Sequence, residues 1–487
     1  MTQDPTRFAQ DVRAALAANP GDPAALTGMA WMLRQEGRLR DAVLHCDAAL
    51  RADPAYVTAW LERGFILSSG GSMANALASY RRALELDPNC AEAHAGIASI
   101  MARDGDSAEA RGHAARALAL DPANAIAAAA LATMQLEAGE VQQAEALLGP
   151  LAPSLTVPSA DRSLTYGLLG DVRARLGQHA DAYLCYARAK ADFAEVNAAR
   201  MAGRESHREL IERITANLTA AAQPAGARAA EVPADAAQTH VFLLGYPRSG
   251  TTLVENILAS LPDVSALEER PTLVEADMAF LVEPEGLARL ASLDDAALKP
   301  YRQAYWDKVA QAGIDTPGRC FVDMDPLKST RLPVIARLFP QARILLMRRD
   351  PRDVVWSCFH TQFALTNAAL EFTTLERAAR HYAAMMELIE VAQQRLALNL
   401  HTVSYEGLVR DFEQETRAIC AFLGLEWSED LRRFDRTAKA RGVATASAGQ
   451  VRKGLYDGSG QWRPYAEYFA PVMPILAPWI AKFGYPD

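Results

Sequence analysis

The sequence predicts a multidomain chain in which an all-α superhelix of helical hairpins precedes an α/β domain built on a parallel sheet. Three observations predict it. Gly37, Gly71, Gly105 and Gly139 recur at an unbroken spacing of 34 residues, a period that fits a helix-turn-helix repeat. From Thr219 to Thr239 the chain turns Ala-rich, with Pro224, Gly226 and Pro233, a composition suited to a linker. From His240 an apolar run ends at Gly245 and passes through a short polar turn into a helical pattern. That order is the strand, turn and helix of a phosphate-binding unit.

With 487 residues, the chain exceeds the roughly 100–200 residues of an ordinary domain. Half of the residues are apolar and 22% are charged, the profile of a folded globular protein. A formal net charge of -9 argues against nucleic acid or an anionic membrane as a partner and leaves room for a small anion in a focused pocket. The first twenty residues include Asp4, Arg7, Asp11 and Arg13, so no signal-peptide core is read there. No apolar run reaches the ~18 residues of a membrane span. Six cysteines, Cys46, Cys90, Cys185, Cys320, Cys358 and Cys420, show no metal-ligand spacing. They are expected to be reduced and buried in a cytoplasmic protein that uses no metal.

In the repeats, Ala42, Ala76, Ala110 and Ala144 stand five residues after the four glycines, and Ala49, Ala83 and Ala117 twelve after the first three. Small residues let antiparallel helices approach, and glycine permits the tight turn between them. Asp53-Pro54, Asp87-Pro88 and Asp121-Pro122 are expected to start the next helix. A fifth unit carries Gly177, Ala182, Tyr186 and Ala189 after a four-residue insertion marked by Pro153 and Pro158. These features resemble the tetratricopeptide repeat over about residues 22–190. Residues Phe193 to Leu218 are expected to cap the array, so that the array spans 1–218, the linker 219–239 and the second domain 240–487. The resemblance implies a groove that binds a protein or peptide partner; otherwise the repeats only scaffold or dimerise the chain.

In the second domain, Tyr246-Pro247-Arg248-Ser249-Gly250-Thr251-Thr252 follows the strand. Gly245 and Gly250 keep the spacing of a nucleotide triphosphatase loop, but Thr251 stands where that loop has lysine. The missing lysine, with Arg248 inside the loop, points to a 5′-phosphosulfate rather than a triphosphate. A second strand-like run, Ile344 to Met347, leads into Arg348-Arg349-Asp350-Pro351-Arg352-Asp353 and then Ser357.

These two elements resemble the sulfotransferases, and the loop is most similar to that of the tyrosylprotein type. The resemblance spans about residues 240–480. It implies 3′-phosphoadenosine-5′-phosphosulfate as donor, with Arg248, Ser249, Gly250, Thr251 and Thr252 around its 5′ side, and Arg349 and Ser357 on the 3′-phosphate. Tyr405 in Val403–Val409 is implied near the adenosine. Thr445–Lys453 and Gly458–Trp462 resemble the loop that closes over the donor, from which Ser447 and Lys453 are carried over, Ser447 also as a catalytic group beside Arg248. Glu269 falls at the position of the family's glutamate base, with Glu268 as the near alternative and His360, His381 and Asp325 as further candidates.

Two departures accompany the resemblance. Met324 stands where the family has a lysine before the strand-end proline step, with Lys328 as a conjectured substitute. Pro271 stands where the tyrosylprotein type has an arginine that meets the acceptor. The leading expectation is sulfonate transfer to a hydroxyl of a protein or peptide tyrosine, a carbohydrate or a small metabolite. The alternatives are a repeat-based binding scaffold whose donor domain has little or no activity, and an ATP- or GTP-using kinase. The linker predicts that a fragment begun near Gln238 keeps donor affinity.

Overall fold

The computed structural model describes residues 5–103, 105, 107–220, 237–441, 448–452 and 454–486. The chain divides into two compact units, Met1–Ala202 and Gly203–Asp487.

The first unit is a run of helical hairpins, as the 34-residue period predicts. Pro23–Gln35 pairs with Leu39–Ala52, Val57–Ser69 with Met73–Leu86, Ala91–Met101 with Ala108–Leu120, Ala125–Ala138 with Val141–Ser154, and Ala160–Arg175 with His179–Met201. The turn glycines Gly37, Gly71, Gly105, Gly139 and Gly177 all sit at positive φ, between 76° and 120°. Side-chain-bearing residues pay a steric cost there. The repeat alanines Ala42, Ala49, Ala76, Ala83, Ala110, Ala117, Ala144 and Ala182 are fully buried, which is what lets paired helices close on one another.

The Asp-Pro steps act differently from expectation. Asp53, Asp87 and Asp121 each end the outgoing helix as its C-cap. Their carboxylates accept the N–H groups of Ala55, Asn89 and Ala123 two residues on, so each closes an aspartate turn. The next helices start three residues after the prolines. The insertion near Pro153 and Pro158 is held from beneath by Arg162, which donates to the carbonyls of Leu155 and Thr156. Arg162 also forms a buried ion pair with Asp192, 2.5 Å apart.

In the second unit five strands form one parallel sheet: β1 (Thr239–Leu244), β2 (Val264–Glu268), β3 (Cys320–Met324), β4 (Arg343–Arg348) and β5 (Asn399–Ser404), in the order β2-β3-β1-β4-β5. Strands β1 and β4 carry apolar runs, Val241–Leu244 and Ile344–Met347, because helices cover both faces, and their side chains enter the core with Val254, Ile257, Leu408 and Ile419; β3 is interrupted by the buried Asp323. Register aligns Glu268 with Met324, Met324 with Leu243, Leu244 with Leu346, and Arg348 with Ser404. All five carboxyl ends therefore open on one edge of the sheet.

One boundary differs from the sequence reading. Helix His207–Ala220, expected to cap the repeats, belongs to the second unit and packs along helix Leu375–Arg395. Its buried face, His207, Ile211, Ile214, Thr215 and Leu218, is an ordinary amphipathic stripe that does not say which unit it covers. Of the expected linker, residues 221–236 lie outside the described residues.

Candidate active site

Each strand end delivers one of the expected residues to the same edge, the usual place for a ligand in an open parallel sheet. β1 leads into the loop Gly245–Gly250, β2 into Glu269, β3 into Asp325, β4 into Arg349 and β5 into Tyr405.

The loop is tightly built. A Cβ on Gly245 would stand 2.8 Å from Ser249 Oγ and 3.1 Å from the Met347 carbonyl. Ser329, which no sequence signal marked, fastens the loop's start: its hydroxyl donates to the Gly245 carbonyl at 2.8 Å and accepts the Gly245 N–H at 3.2 Å. Gly250 lies at φ 106° and caps helix Thr251–Leu258, whose residues are all buried. The helix thus presents its first N–H groups, with Thr251 and Thr252, toward the loop.

Arg248 adopts φ 69° and Glu269 φ 43°, and among the described residues they are the two non-glycine residues with positive φ. Such conformations cost of order 1–3 kcal/mol and persist where neighbours impose them. For Arg248 the neighbours are visible. Arg349 Nη1 donates to its carbonyl at 3.0 Å, and its own Nε donates to Ser357 Oγ at 2.9 Å. Glu269 is held by its N–H, which donates to the Met324 carbonyl at 2.7 Å.

Arg349 and Tyr405 form the other wall. The guanidinium lies 4.5 Å over the Tyr405 ring and donates to the Gly458 carbonyl at 2.6 Å. The Tyr405 hydroxyl donates to the Tyr456 carbonyl and accepts the Gly458 N–H. Asp353 accepts the N–H groups of Gly460 and Trp462. The segment Gly458–Trp462 is therefore brought to the wall as expected. Ser447 and Lys453 lie outside the described residues.

Ser249 Oγ and Arg349 Nε are among the buried polar atoms here that have no protein partner. An unpaired buried donor is costly, and both belong to the residues implied to bind the donor. Their chemistry, a hydroxyl and a guanidinium N–H beside a helix N-terminus, fits phosphate oxygens. The residues present thus fit 3′-phosphoadenosine-5′-phosphosulfate.

On the acceptor side, Glu269 is exposed to solvent. Its pKa is nonetheless raised to about 7, first by the desolvation that the surrounding protein imposes, then by the charges of Asp325, Glu268 and Glu255, against Arg248 alone. Desolvation, reinforced by the neighbouring carboxylates, outweighs Arg248, so the direction is upward. Glu255, another residue no motif marked, is buried in the loop helix. Burial pushes its pKa up to about 7 despite Arg441 at 2.8 Å.

Lys328 does not replace the family lysine. It is buried, with Nζ 2.5 Å from Asp323 Oδ1, and Asp323 also accepts from Thr272 and Tyr305. That ion pair commits the ammonium to the core, and Met324 is fully buried in apolar packing. His381 is likewise enclosed, bonded to Tyr246 and His207, so it is not a candidate base facing an acceptor.

No helix among the described residues is long and apolar enough to cross a membrane. None of the six cysteines forms a disulfide, and all are buried. Among the described residues no group of three or more metal-ligating side chains occurs.

Comparison with known proteins gives matches to both units. Residues 240–429 match the Sulfotransferase family, and residues 9–57, 35–91 and 67–125 match the Tetratricopeptide repeat. Protein-tyrosine sulfotransferase 1 of Mus musculus is 30% identical over 259 residues, covering 50% of this chain and 69% of that protein. An uncharacterized protein of Aquifex aeolicus is 30% identical over 257 residues, 51% of this chain; the chain spans only 33% of that protein's length. Among solved structures, the sulfotransferase domain from the Synechococcus PCC 7002 olefin synthase matches with 21% identity and a TM-score of 0.36, covering 53% of this chain and all of that domain.

Proposed function

We propose that this chain, which belongs to the sulfotransferase family, moves a sulfonate group from 3′-phosphoadenosine-5′-phosphosulfate to a hydroxyl acceptor carried by a protein or peptide tyrosine. The observation that carries the reading is the pairing of two left-handed residues, Arg248 and Glu269, at one sheet edge with the unpartnered Ser249 Oγ and Arg349 Nε. The donor, when bound, supplies a sulfonate already activated by its bond to phosphate.

The chain's residues do the rest. The loop Gly245–Gly250, with Thr251 and Thr252 at the helix N-terminus, binds the 5′ side. Arg349 and Ser357 hold the 3′-phosphate, and Tyr405, beneath the Arg349 guanidinium, borders the adenosine. Glu269 takes the acceptor proton as the new S–O bond forms. Arg248 balances negative charge on the sulfonate and on the phosphate oxygen that keeps the electrons of the broken bond. A base whose pKa is near 7 is matched to that task at neutral pH. We assign Ser447 and Lys453 to closure over the donor, as the family resemblance implies. The repeats present the acceptor or another protein partner, and the buried cysteines, none of them in a disulfide, support placement in the cytoplasm.

A second reading has one specific observation behind it. With Met324 at the family's lysine position and Lys328 tied to Asp323, transition-state charge rests on fewer cations, which favours a donor-binding scaffold of low activity. Calorimetry with 3′-phosphoadenosine-5′-phosphate, followed by turnover of the labelled donor, separates the two. Binding with turnover supports the enzyme, binding alone the scaffold, and tighter binding of ATP would overturn both.

A further inference from the structure

The phosphate-binding loop has a support that neither the mechanism nor the family match uses. Tyr246, the second residue of the loop and 1% exposed, places its hydroxyl 2.6 Å from His381 Nδ1. His381, completely buried on helix Leu375–Arg395, places Nε2 2.7 Å from His207 Nδ1. His207 opens helix His207–Ala220, which lies ahead of the matched residues 240–429. The two imidazoles are 5.0 Å apart between ring centres.

A neutral imidazole has one N–H donor and one acceptor nitrogen. The chain is therefore satisfied only when all three groups point their protons the same way: from the tyrosine through His381 to His207, or the reverse. Burial depresses the pKa of both histidines, helped by Arg331 beside His207 and by His207, Arg208 and Arg377 beside His381. Both are thus neutral, as the chain requires. Buried hydrogen-bond chains of this kind fix one conformation, because breaking a link leaves a histidine nitrogen without its partner in low dielectric, even though the Tyr246 hydroxyl also has the Ala378 carbonyl at 3.5 Å.

The same helix makes two further bonds within its unit. Arg213 donates to the Leu281 carbonyl and Asn217 to the Pro284 carbonyl, both at 2.9 Å, in the segment that follows Glu269. Helix His207–Ala220 is thus bonded both to the Tyr246–His381 chain and to the segment Leu281–Pro284.

We propose that His381 and His207 are positioning residues for donor binding, fastening the loop that carries Arg248 and Ser249 to helix His207–Ala220 through Tyr246. The link to donor affinity rests on the sulfotransferase reading; the fastening of the loop does not. Two residues beyond Tyr246, Arg248 holds its left-handed backbone, and a fixed Tyr246 shortens the stretch of chain over which that conformation can relax.

The test uses the full-length protein and two readouts. Amide hydrogen exchange across residues 246–252 without ligand reports the fastening directly, and calorimetry with 3′-phosphoadenosine-5′-phosphate reports its consequence. Y246F removes one oxygen and keeps the ring. H381L removes both links, whereas H381N restores a polar atom near Nδ1, toward Tyr246. Y246F and H381L are expected to speed loop exchange and weaken binding about five- to tenfold, the worth of one buried hydrogen bond. The double variant should be no worse than either, since the two act in one chain, and H381N, which still lacks the link to His207, should recover only part of the loss. Unchanged loop exchange in Y246F would overturn the proposal, as would additive losses, or equal losses in H381N and H381L. If H381L fails to fold, Y246F against the parent still decides. If the parent binds no nucleotide, the sulfotransferase reading fails while the exchange result still judges the loop.

Discussion

At Glu269 the chemistry and the stability of the protein pull against each other. Its raised pKa makes it a base poised near neutrality, so kcat/KM is expected to climb about tenfold per pH unit below about 7 and then level. Glu269→Gln keeps the shape and removes the basic oxygen, so turnover should fall roughly 10²–10⁴-fold with donor affinity little changed. Glu268→Gln should be milder, and the reverse order would move the base to Glu268. A carboxyl whose pKa rises on folding, here from 4.5 to about 7, holds its proton more firmly in the folded state. Its ionisation therefore costs stability as pH rises through that window. Accordingly Glu269→Gln should raise the thermal midpoint at pH 8 and leave it unchanged at pH 4; a midpoint lowered at both would refute that sign. The spacing of Glu269 from Arg248 could be read from the sequence, but its pKa direction could not, because it depends on desolvation by the surrounding fold and on Asp325 and Glu255, which the fold brings near it. The commitment of Lys328 to Asp323, only five residues away, was hidden for a different reason: a lysine four residues from a site reads as available until its partner is seen.

Among the elements, those punctuated by glycine were the most legible. The repeat turns and the phosphate loop each need a backbone that glycine alone adopts cheaply, and the sequence says so. Gly71 and Gly250 separate strain from crowding. Gly71 lies at φ 81° with nothing within 4 Å of where a methyl would stand, whereas at Gly250, φ 106°, the methyl would meet Tyr405 Cδ2 at 2.9 Å. Gly71→Ala should therefore cost about 1–2 kcal/mol from left-handed strain alone, read by urea denaturation. Gly250→Ala should cost more and also weaken nucleotide binding, because the loop and the adenosine wall are forced apart. Equal costs with intact binding would argue against the close approach of Gly250 to Tyr405. The Asp-Pro steps were misread because aspartate before proline suits a helix start as well as a turn, and only the carboxylate's partners distinguish them.

In the whole molecule, two units were expected and two are found, but the division falls between Ala202 and Gly203. Helix His207–Ala220 goes with the sulfotransferase unit, and an amphipathic helix carries no label naming its partner. The consequence reverses an expectation drawn from the linker. A fragment begun near Gln238 lacks this helix, exposes its footprint on helix Leu375–Arg395 and leaves His381 without His207. It should melt earlier and bind nucleotide more weakly than a fragment begun at Gly203, which should match the full chain; thermal unfolding and calorimetry of the two fragments would show it, and equal behaviour would return the helix to the repeats. The central claim, that this fold transfers sulfonate with Glu269 as base, is met most directly by following sulfur label from the donor to protein, sugar and phenol hydroxyls at pH 8, in the parent and in Glu269→Gln. The account predicts label on a hydroxyl acceptor, suppressed roughly 10²–10⁴-fold by the substitution. Label that reaches no acceptor from a protein that binds the nucleotide, or that transfers equally well in both proteins, would contradict it.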